Sequence, residues 1–233
     1  DYDMTLSGDW GSLKFNGSGS SSAFGAVDDV MPNAYEESWD VTDTDGTATT
    51  GSPVVIGGGG GANMFIYTSP SFAGATVTVA YQNHGGSEAA DSYTDYAIAF
   101  SPEMVEGLTV GAAVSDNEVA AGGKNSNKTT GYVKYAVGGV TVGYQMSEED
   151  HDTKSSSKES TGWGITYAVN DDMSIGYHTH TLEFDSGNST NDQESTGISA
   201  SYTMGGMTIA GAINETDNSR GTAASDFESY EFN

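Results

Sequence analysis

The chain has no cysteine, only four prolines and only seven basic residues among its 233. Without cysteine it has no disulfide bonds, thiolate metal sites or thiol nucleophile. Its 33 acidic residues give a formal net charge of −26, which argues against nucleic-acid binding and favours cations as partners. No apolar run approaches the roughly 18 residues of a membrane-spanning helix, so the sequence predicts none.

The residues that are abundant are those of β-strands. Glycine occurs 32 times, leucine is rare, and threonine, serine, valine, alanine and tyrosine fill most of the chain. A hydrophobic fraction of 36% is low for one soluble core of this size. A transmembrane barrel remains compatible with this composition, because its strands alternate in polarity and need no long apolar run.

Strand-like segments follow one another along the chain, about thirteen in all, and their connections alternate between short and long. Within a segment one face is apolar and the other small or polar, as in Val140–Met146. Short turns at one end and long loops at the other are typical of an outer-membrane barrel. We therefore predict an antiparallel transmembrane β-barrel with Val77, Val79, Ile98, Val110, Val142, Ile165 and Ile198 facing lipid and Thr76, Thr78, Thr109, Thr141, Thr166 and Ser199 facing a wet lumen.

Aromatic residues lie near both ends of these segments. Two such belts are what the two interfaces of a membrane select. The sequence places Tyr67, Phe72, Phe100, Tyr135, Tyr167 and Tyr202 near the short turns and Tyr81, Tyr93, Tyr144 and Phe184 near the long loops.

Residues 17–61 interrupt the strand pattern. A connection of about 45 residues is far longer than usual, and such loops are typically functional or disordered. It carries many carboxylates and no basic residue, and Asn33–Trp39 after Pro32 suits a short helical turn. We predict that it folds into the barrel and lines its narrowest point; the alternative is a floppy acidic surface loop.

Three stretches carry a resemblance to a known family: Gly8-Asp9-Trp10-Gly11-Ser12-Leu13-Lys14-Phe15, Asp28-Asp29-Val30, and Phe65-Ile66-Tyr67-Thr68-Ser69-Pro70-Ser71-Phe72-Ala73-Gly74. With them the chain resembles the general (non-specific) porins of Gram-negative bacteria. The resemblance implies that the first stretch is the turn into the fifth strand and that the third loop folds into the pore. The resemblance then implies that three strands precede Asp1. Together with the roughly thirteen strands in this sequence they make sixteen, the number in this family, and the chain would stop within its last strand. We expect residues 1–233 to be one partial barrel domain with residues 17–61 as its constriction loop.

The resemblance also implies where charge acts. Porins of this type set acidic residues on the inward loop against basic residues on the opposite wall, and the field between them sorts solutes. The candidates for the acidic side are Asp28, Asp29, Glu36, Glu37 and Asp40. Alternation points Lys14 and Lys134 into the lumen as the basic side, while the other five basic residues fall in loops or at strand edges.

Metal binding is supported only weakly. Asp43 and Asp45 look like part of a calcium loop but lack the spaced ligands of an EF-hand, so they are candidates for weakly bound Ca²⁺ only. His178 and His180 share a strand face without a third ligand, and we interpret them as lumen-exposed. The acidic stretch Ser147–Asp152 is interpreted as a solvated external loop.

The predicted function is passive diffusion of small hydrophilic solutes across a bacterial outer membrane, with a preference for cations and no catalysis. The barrel would contact outer-membrane lipid and lipopolysaccharide, and the resemblance implies a homotrimer. One alternative is a soluble or surface-attached acidic β-rich protein, adhesin-like in its role. Another is a barrel enzyme, for which His84 and His151 are the local candidates.

Overall fold

The computed structural model describes residues 2–17, 20–41, 51–83, 92–118, 125–152, 156–185 and 191–233. These residues form β-strands and short 3₁₀ turns, the latter at Phe24–Ala26 and Ser219–Gly221. The strands are β1 (Asp3–Gly8), β2 (Gly11–Asn16), β3 (Ser20–Ser21), β4 (Gly60–Gly61), β5 (Met64–Thr68), β6 (Ala75–Asn83), β7 (Ser92–Phe100), β8 (Leu108–Glu118), β9 (Ser126–Val137), β10 (Val140–His151), β11 (Lys158–Asn170), β12 (Met173–Phe184), β13 (Gln193–Met204), β14 (Met207–Asp217) and β15 (Phe227–Phe232).

Thirteen strands of the described residues form one sheet whose order follows the chain, β1-β2-β5-β6-β7-β8-β9-β10-β11-β12-β13-β14-β15, while β3 and β4 pair separately. This confirms the predicted all-β class and the number of strands. Between β9 and β10, Gly138 and Gly139 have φ values of 58° and 83°, the left-handed conformation that a two-residue hairpin turn requires. No helix in the described part of the chain is long and apolar enough to span a membrane.

The two faces of the sheet differ as the alternation predicts. One face, here called the inner face, packs against the long loop and carries buried polar residues such as Ser199 and Gln145. The opposite, outer face exposes large apolar side chains, including Val77, Ile98 and Ile165. Exposed apolar surface on this scale is unfavourable in water, which identifies the outer face as one that meets an apolar partner. The predicted division of these strands into an apolar, exposed face and a small or polar face is confirmed.

The sequence prediction is wrong at Tyr93 and at the end of β10. Tyr93, expected in an aromatic belt, lies buried on the inner face. Ser147–His151, expected in a solvated loop, is the end of β10, with Glu149 buried and Glu148 and Asp150 exposed. The period-2 alternation continues there through polar residues, so hydropathy falls while strand pairing persists.

The chain divides into two compact units. The first consists of Asp1–Asp29, Ile56–Val133 and Ser147–Lys154, and the second of Val30–Val55, Lys134–Met146 and Ser155–Asn233. The long loop is thereby divided into a loop base, residues 20–29 and 56–61, and a loop tip, residues 30–41 and 51–55. In the first unit, the base packs on the inner face of the sheet, here also called the wall, through an apolar cluster that includes Phe24, Val27, Met64, Ala80, Ala97 and Ala113.

The long loop is ordered by contacts with the sheet more than by its own secondary structure. The pairing of β3 with β4 closes its base. Its 3₁₀ helix is at Phe24–Ala26, and no helix forms over Asn33–Trp39; the predicted turn is limited to the end of that segment, where the Asp40 amide donates to the Glu37 carbonyl at 3.1 Å. Over Asn33–Trp39 the amide N–H groups of Ala34 and Ser38 donate to side chains of the inner face. Backbone donors need one partner each, and the wall supplies it.

Candidate functional site

In the first unit the loop base is fixed by a buried carboxylate. Asp95 on β7 is fully buried and accepts hydrogen bonds from the amide N–H groups of Ala23 (3.2 Å) and Phe24 (2.8 Å) and from the Tyr93 hydroxyl (2.8 Å). The same hydroxyl accepts from the Gly59 amide at 2.8 Å. Burying a carboxyl group that accepts several hydrogen bonds costs much less free energy than burying one without partners. Asp95 and Tyr93 therefore hold both segments of the loop base on the inner face of the sheet.

A second set of charged side chains in this unit contacts the loop base at Gly57 and Gly58. Asp28 accepts a short hydrogen bond from the Gly58 amide, and Lys128 on β9 donates to the Gly57 carbonyl. Lys128 also lies 3.8 Å from Glu149, whose carboxylate is 3.2 Å from Nε2 of His151. Burial raises the pKa of Asp28, although the Gly58 amide and the Lys128 charge oppose the rise. Asp28 is thus a partly buried structural charge.

In the second unit the loop tip is held mainly by neutral groups. The amide N–H of Val30 donates to Gln145 at 3.3 Å, and that of Ala34 donates to the Ser199 hydroxyl at 2.9 Å. Asn214 on β14 donates from one amide nitrogen to the carbonyls of Glu37 (3.1 Å) and Asp40 (2.9 Å). Side-chain amides and hydroxyls on alternate strand positions thus bind the backbone of the tip.

The same unit places two histidines beneath the tip. His178 and His180 on β12 are only 2% and 7% exposed, so their interpretation as lumen-exposed is wrong. The amide N–H of Ser38 donates to Nδ1 of His178 at 3.1 Å. The Trp39 ring packs edge-on against both imidazoles, with ring centroids 4.9 and 4.7 Å away. Trp39 and Ser38 cover the residues that alternation alone would leave in water.

The predicted acidic side is distributed over both parts of the loop. Asp29, in the base, and Asp40, in the tip, are exposed, whereas Glu36 and Glu37 are half-buried. A carboxylate oxygen of Glu37 accepts from the Asn33 amide at 3.1 Å. Among these five candidates, Asp29 and Asp40 are the most exposed. Asp43 and Asp45 lie outside the described residues, and weak Ca²⁺ binding there stays a prediction.

The predicted basic residues lie on the inner face, as alternation indicates. Lys14 on β2 is opposite Ile66, which packs against the core of the first unit, and its amine is 3.6 Å from Asp3. Lys134 on β9 is half-buried and shares a face with the buried Thr130. Their role as the basic side of a constriction stays a prediction. Within the described residues no group of three or more histidine, aspartate and glutamate side chains is arranged to hold a metal ion.

Sequence reasoning missed two charged residues of the inner face. Lys128 is one of the five basic residues predicted in loops or at strand edges, because the polar start of β9 does not look like a strand. The signal that could have placed it on the inner face is its even spacing from Thr130 and Lys134. Asp95 was not singled out. Its signal is that it is the only charged residue in β7, on the face shared with Ala97.

The family follows from comparison with known proteins. A family model described as Gram-negative porin matches residues 2–233. The chain belongs to the Gram-negative porin family. No curated relative matches this porin. The adhesin-like alternative is thereby replaced, and the bacterial outer membrane is the location of the protein.

Solved structures agree on the fold. The porin has a TM-score of 0.67 with an anion-selective porin from Comamonas acidovorans at 13% identity, covering 92% of this chain and 66% of that chain. With the outer-membrane expressed OmpT of Vibrio cholerae it has a TM-score of 0.65 at 11% identity, covering 99% of this chain and 76% of that one. A trimer form of that protein matches with a TM-score of 0.62 at 12% identity, covering 92% of this chain and 69% of that chain. This porin thus spans about two thirds to three quarters of their lengths and shares the antiparallel transmembrane β-barrel fold.

Proposed function

We propose that the chain forms the wall and the constriction loop of a water-filled outer-membrane channel for passive diffusion of small hydrophilic solutes, without catalysis. The observation that carries this proposal is the docking of the loop on the polar face of the strands, in each unit separately. A loop held by Asp95 in one unit and by Asn214 in the other lies on the lumen side of a porin wall. Such a loop narrows the passage, and the charges on it act on solutes at close range.

We further propose that the channel prefers cations. Among the loop carboxylates predicted for the acidic side, Asp29 and Asp40 are exposed, while Lys14 and Lys128 on the inner face lie beside Asp3 and Glu149. Paired cations contribute little net field, so the exposed carboxylates dominate it. Within low-dielectric walls such a field concentrates cations and repels anions. The similar Comamonas structure is described as anion-selective, so the fold by itself does not decide the sign.

Reversal potentials of reconstituted channels in a KCl gradient test the preference. We expect K⁺ to be favoured over Cl⁻, and more strongly at low salt, because the Debye length shrinks from about 10 Å at 0.1 M to about 3 Å at 1 M. The double variant Asp29→Asn and Asp40→Asn should reduce the preference.

The matched control is Glu148→Gln with Asp150→Asn, which removes the same charge from the exposed outer face of β10. It should change the reversal potential less. An anion preference in the unmodified channel would contradict the proposal, and equal effects of both pairs would show that the long loop does not set selectivity.

For the whole protein we propose a homotrimer in contact with outer-membrane lipid and lipopolysaccharide. The support is that a trimer form is recorded for the similar OmpT of Vibrio cholerae. The mass of the detergent-solubilised assembly from its native membrane checks this, and a monomer would contradict it.

A further inference from the structure

We propose that His178 and His180 form a proton-operated latch that holds the loop tip on the wall while both imidazoles are neutral and releases it when they are protonated. The effect on the channel rests on the function proposed above, but the latch itself concerns only contacts within the second unit. No metal or other ligand is required.

The direction of one hydrogen bond makes the latch sensitive to protons. A backbone N–H can only donate, so Nδ1 of His178 must accept from Ser38 and cannot carry a proton in this arrangement. The neutral ring therefore carries its proton on Nε2. When Nδ1 takes up a proton, an acceptor becomes a donor, and two N–H groups face each other across 3.1 Å.

The surroundings offer the charged form no compensation. Facing the two rings across the sheet are Gly164 and Gly162 on β11 and Gly197 and Ser195 on β13, all of them uncharged. Among the described residues, neither ring forms an ion pair with a carboxylate, and Nε2 of His178 and Nδ1 of His180 have no hydrogen-bond partner. A buried charge without a partner is strongly unfavourable, and here two would lie two residues apart on one strand.

The ionisable groups nearest along the loop do not change this conclusion. Glu37 and Asp40 flank Ser38 and Trp39, but Glu37 is engaged with Asn33 and Asp40 is exposed to solvent. On β11 the charged residue nearest this face is Lys158, at the beginning of the strand. Its positive charge would add to the repulsion of an imidazolium.

Release of the tip relieves both costs at once. Moving Ser38 and Trp39 off the wall removes the contact between two donors and admits water to both imidazoles. The hydrogen bond of Ala34 with Ser199 does not involve a titrating group and still holds the start of the tip, whereas the bonds of Asn214 with the Glu37 and Asp40 carbonyls loosen as Ser38 and Trp39 leave the inner face. The movement displaces the segment that carries Glu36, Glu37 and Asp40.

The emission of Trp39 reports on the latch directly. The full chain is folded in detergent micelles with Trp10→Phe and Trp163→Phe, which leaves Trp39 as the only tryptophan. On lowering the pH from about 7 to about 3, well past the range in which an exposed histidine titrates, we expect a red shift of the emission and a loss of protection from acrylamide. Emission that does not change with pH would overturn the proposal.

Three histidine variants separate the latch from other effects of acid. His178→Gln retains an acceptor for the Ser38 amide but does not titrate, so the shift should be lost. His180→Gln leaves the Ser38 bond in place but removes one of the two buried imidazoles, so the shift should remain and be smaller than in the parent. The control His151→Gln lies in the first unit and should behave as the parent. Persistence of the full shift in His178→Gln would overturn the latch.

Conductance of the same proteins distinguishes the latch from the proposed function. A change in single-channel conductance that follows the Trp39 shift supports both. A His178-dependent shift without a change in conductance supports the latch and contradicts the constriction role of the tip. A conductance change without a Trp39 shift overturns the latch and leaves the constriction role standing.

Discussion

The base and the tip of the long loop are attached to the wall by different chemistry. The base is held by a buried carboxyl group, that of Asp95, which accepts from two backbone amides and a tyrosine hydroxyl. The tip is held by an imidazole, side-chain amides and hydroxyls, among them His178, Asn214 and Ser199. Hydrogen bonds to charged groups contribute roughly 1.5–3 kcal/mol each, against about 1 kcal/mol for neutral ones.

This difference suggests a division of roles within one loop. A base fixed by bonds to carboxyl groups and by the apolar cluster around Phe24 stays in place. The tip is open to adjustment, because its bonds are mostly neutral or involve a histidine, apart from the one that Arg220 donates to the Ser52 carbonyl. A loop that restricts a passage needs both properties, because its position must be defined and its free end must accommodate solutes.

The largest effect is expected from removing the anchor of the base. Asp95→Ala leaves the Ala23 and Phe24 amides and the Tyr93 hydroxyl without their acceptor, and the free energy of unfolding should fall by about 3 kcal/mol or more. Urea titration of the micelle-folded protein measures this. Asp116→Ala removes an exposed carboxylate from the neighbouring strand and should change stability by less than about 0.5 kcal/mol. Equal losses in the two variants would contradict the charged-anchor interpretation.

An intermediate effect is expected from crowding the tip. A Cβ at Gly164 would run into the Pro32 carbonyl oxygen, so Gly164→Ala should displace the tip and cost about 1–3 kcal/mol. Gly206→Ala is the control, because a Cβ there meets nothing within 4 Å. Limited proteolysis should show faster cleavage in the loop for Gly164→Ala alone. Unchanged cleavage would mean that the tip does not rest on the β11 glycines.

The smallest effect concerns Asp28, at the border between base and tip. Because burial raises its pKa, the folded protein holds this proton more tightly than the unfolded chain does. The contribution of Asp28 to the free energy of unfolding therefore falls as the pH rises from about 3.9, the ordinary pKa of an aspartate, through the raised pKa of Asp28. The loss persists at higher pH. Asp28→Asn should accordingly gain stability relative to the parent as the pH increases.

The adjacent Asp29→Asn serves as the control, since Asp29 is exposed and its replacement should leave the pH profile of thermal unfolding unchanged. If the two variants follow the same profile, or if Asp28→Asn loses stability relative to the parent as the pH rises, the burial of Asp28 is not what sets its titration.

Much of the architecture could be read from local patterns. Alternation located the strands and gave the correct face for Val77, Ile165 and Ser199. The reason is that side chains alternate between the two faces of a strand with a period of two residues, and the apolar face needs apolar surroundings. The length and composition of residues 17–61 marked the loop. Strand ends were less predictable, since polar alternation beyond Met146 resembles a loop.

The amino-acid sequence by itself determined the β class, the two faces of the wall, the acidic character of the long loop and the inward position of Lys14 and Lys134. Only the tertiary structure decided that Asp95 anchors the loop, that Asp28 is partly buried while Asp29 is exposed, and that Trp39 covers His178 and His180. Alternation is a property of neighbouring residues and can be read along the chain. The partner of a carboxylate or an imidazole lies up to 140 residues away, and only folding brings the two together.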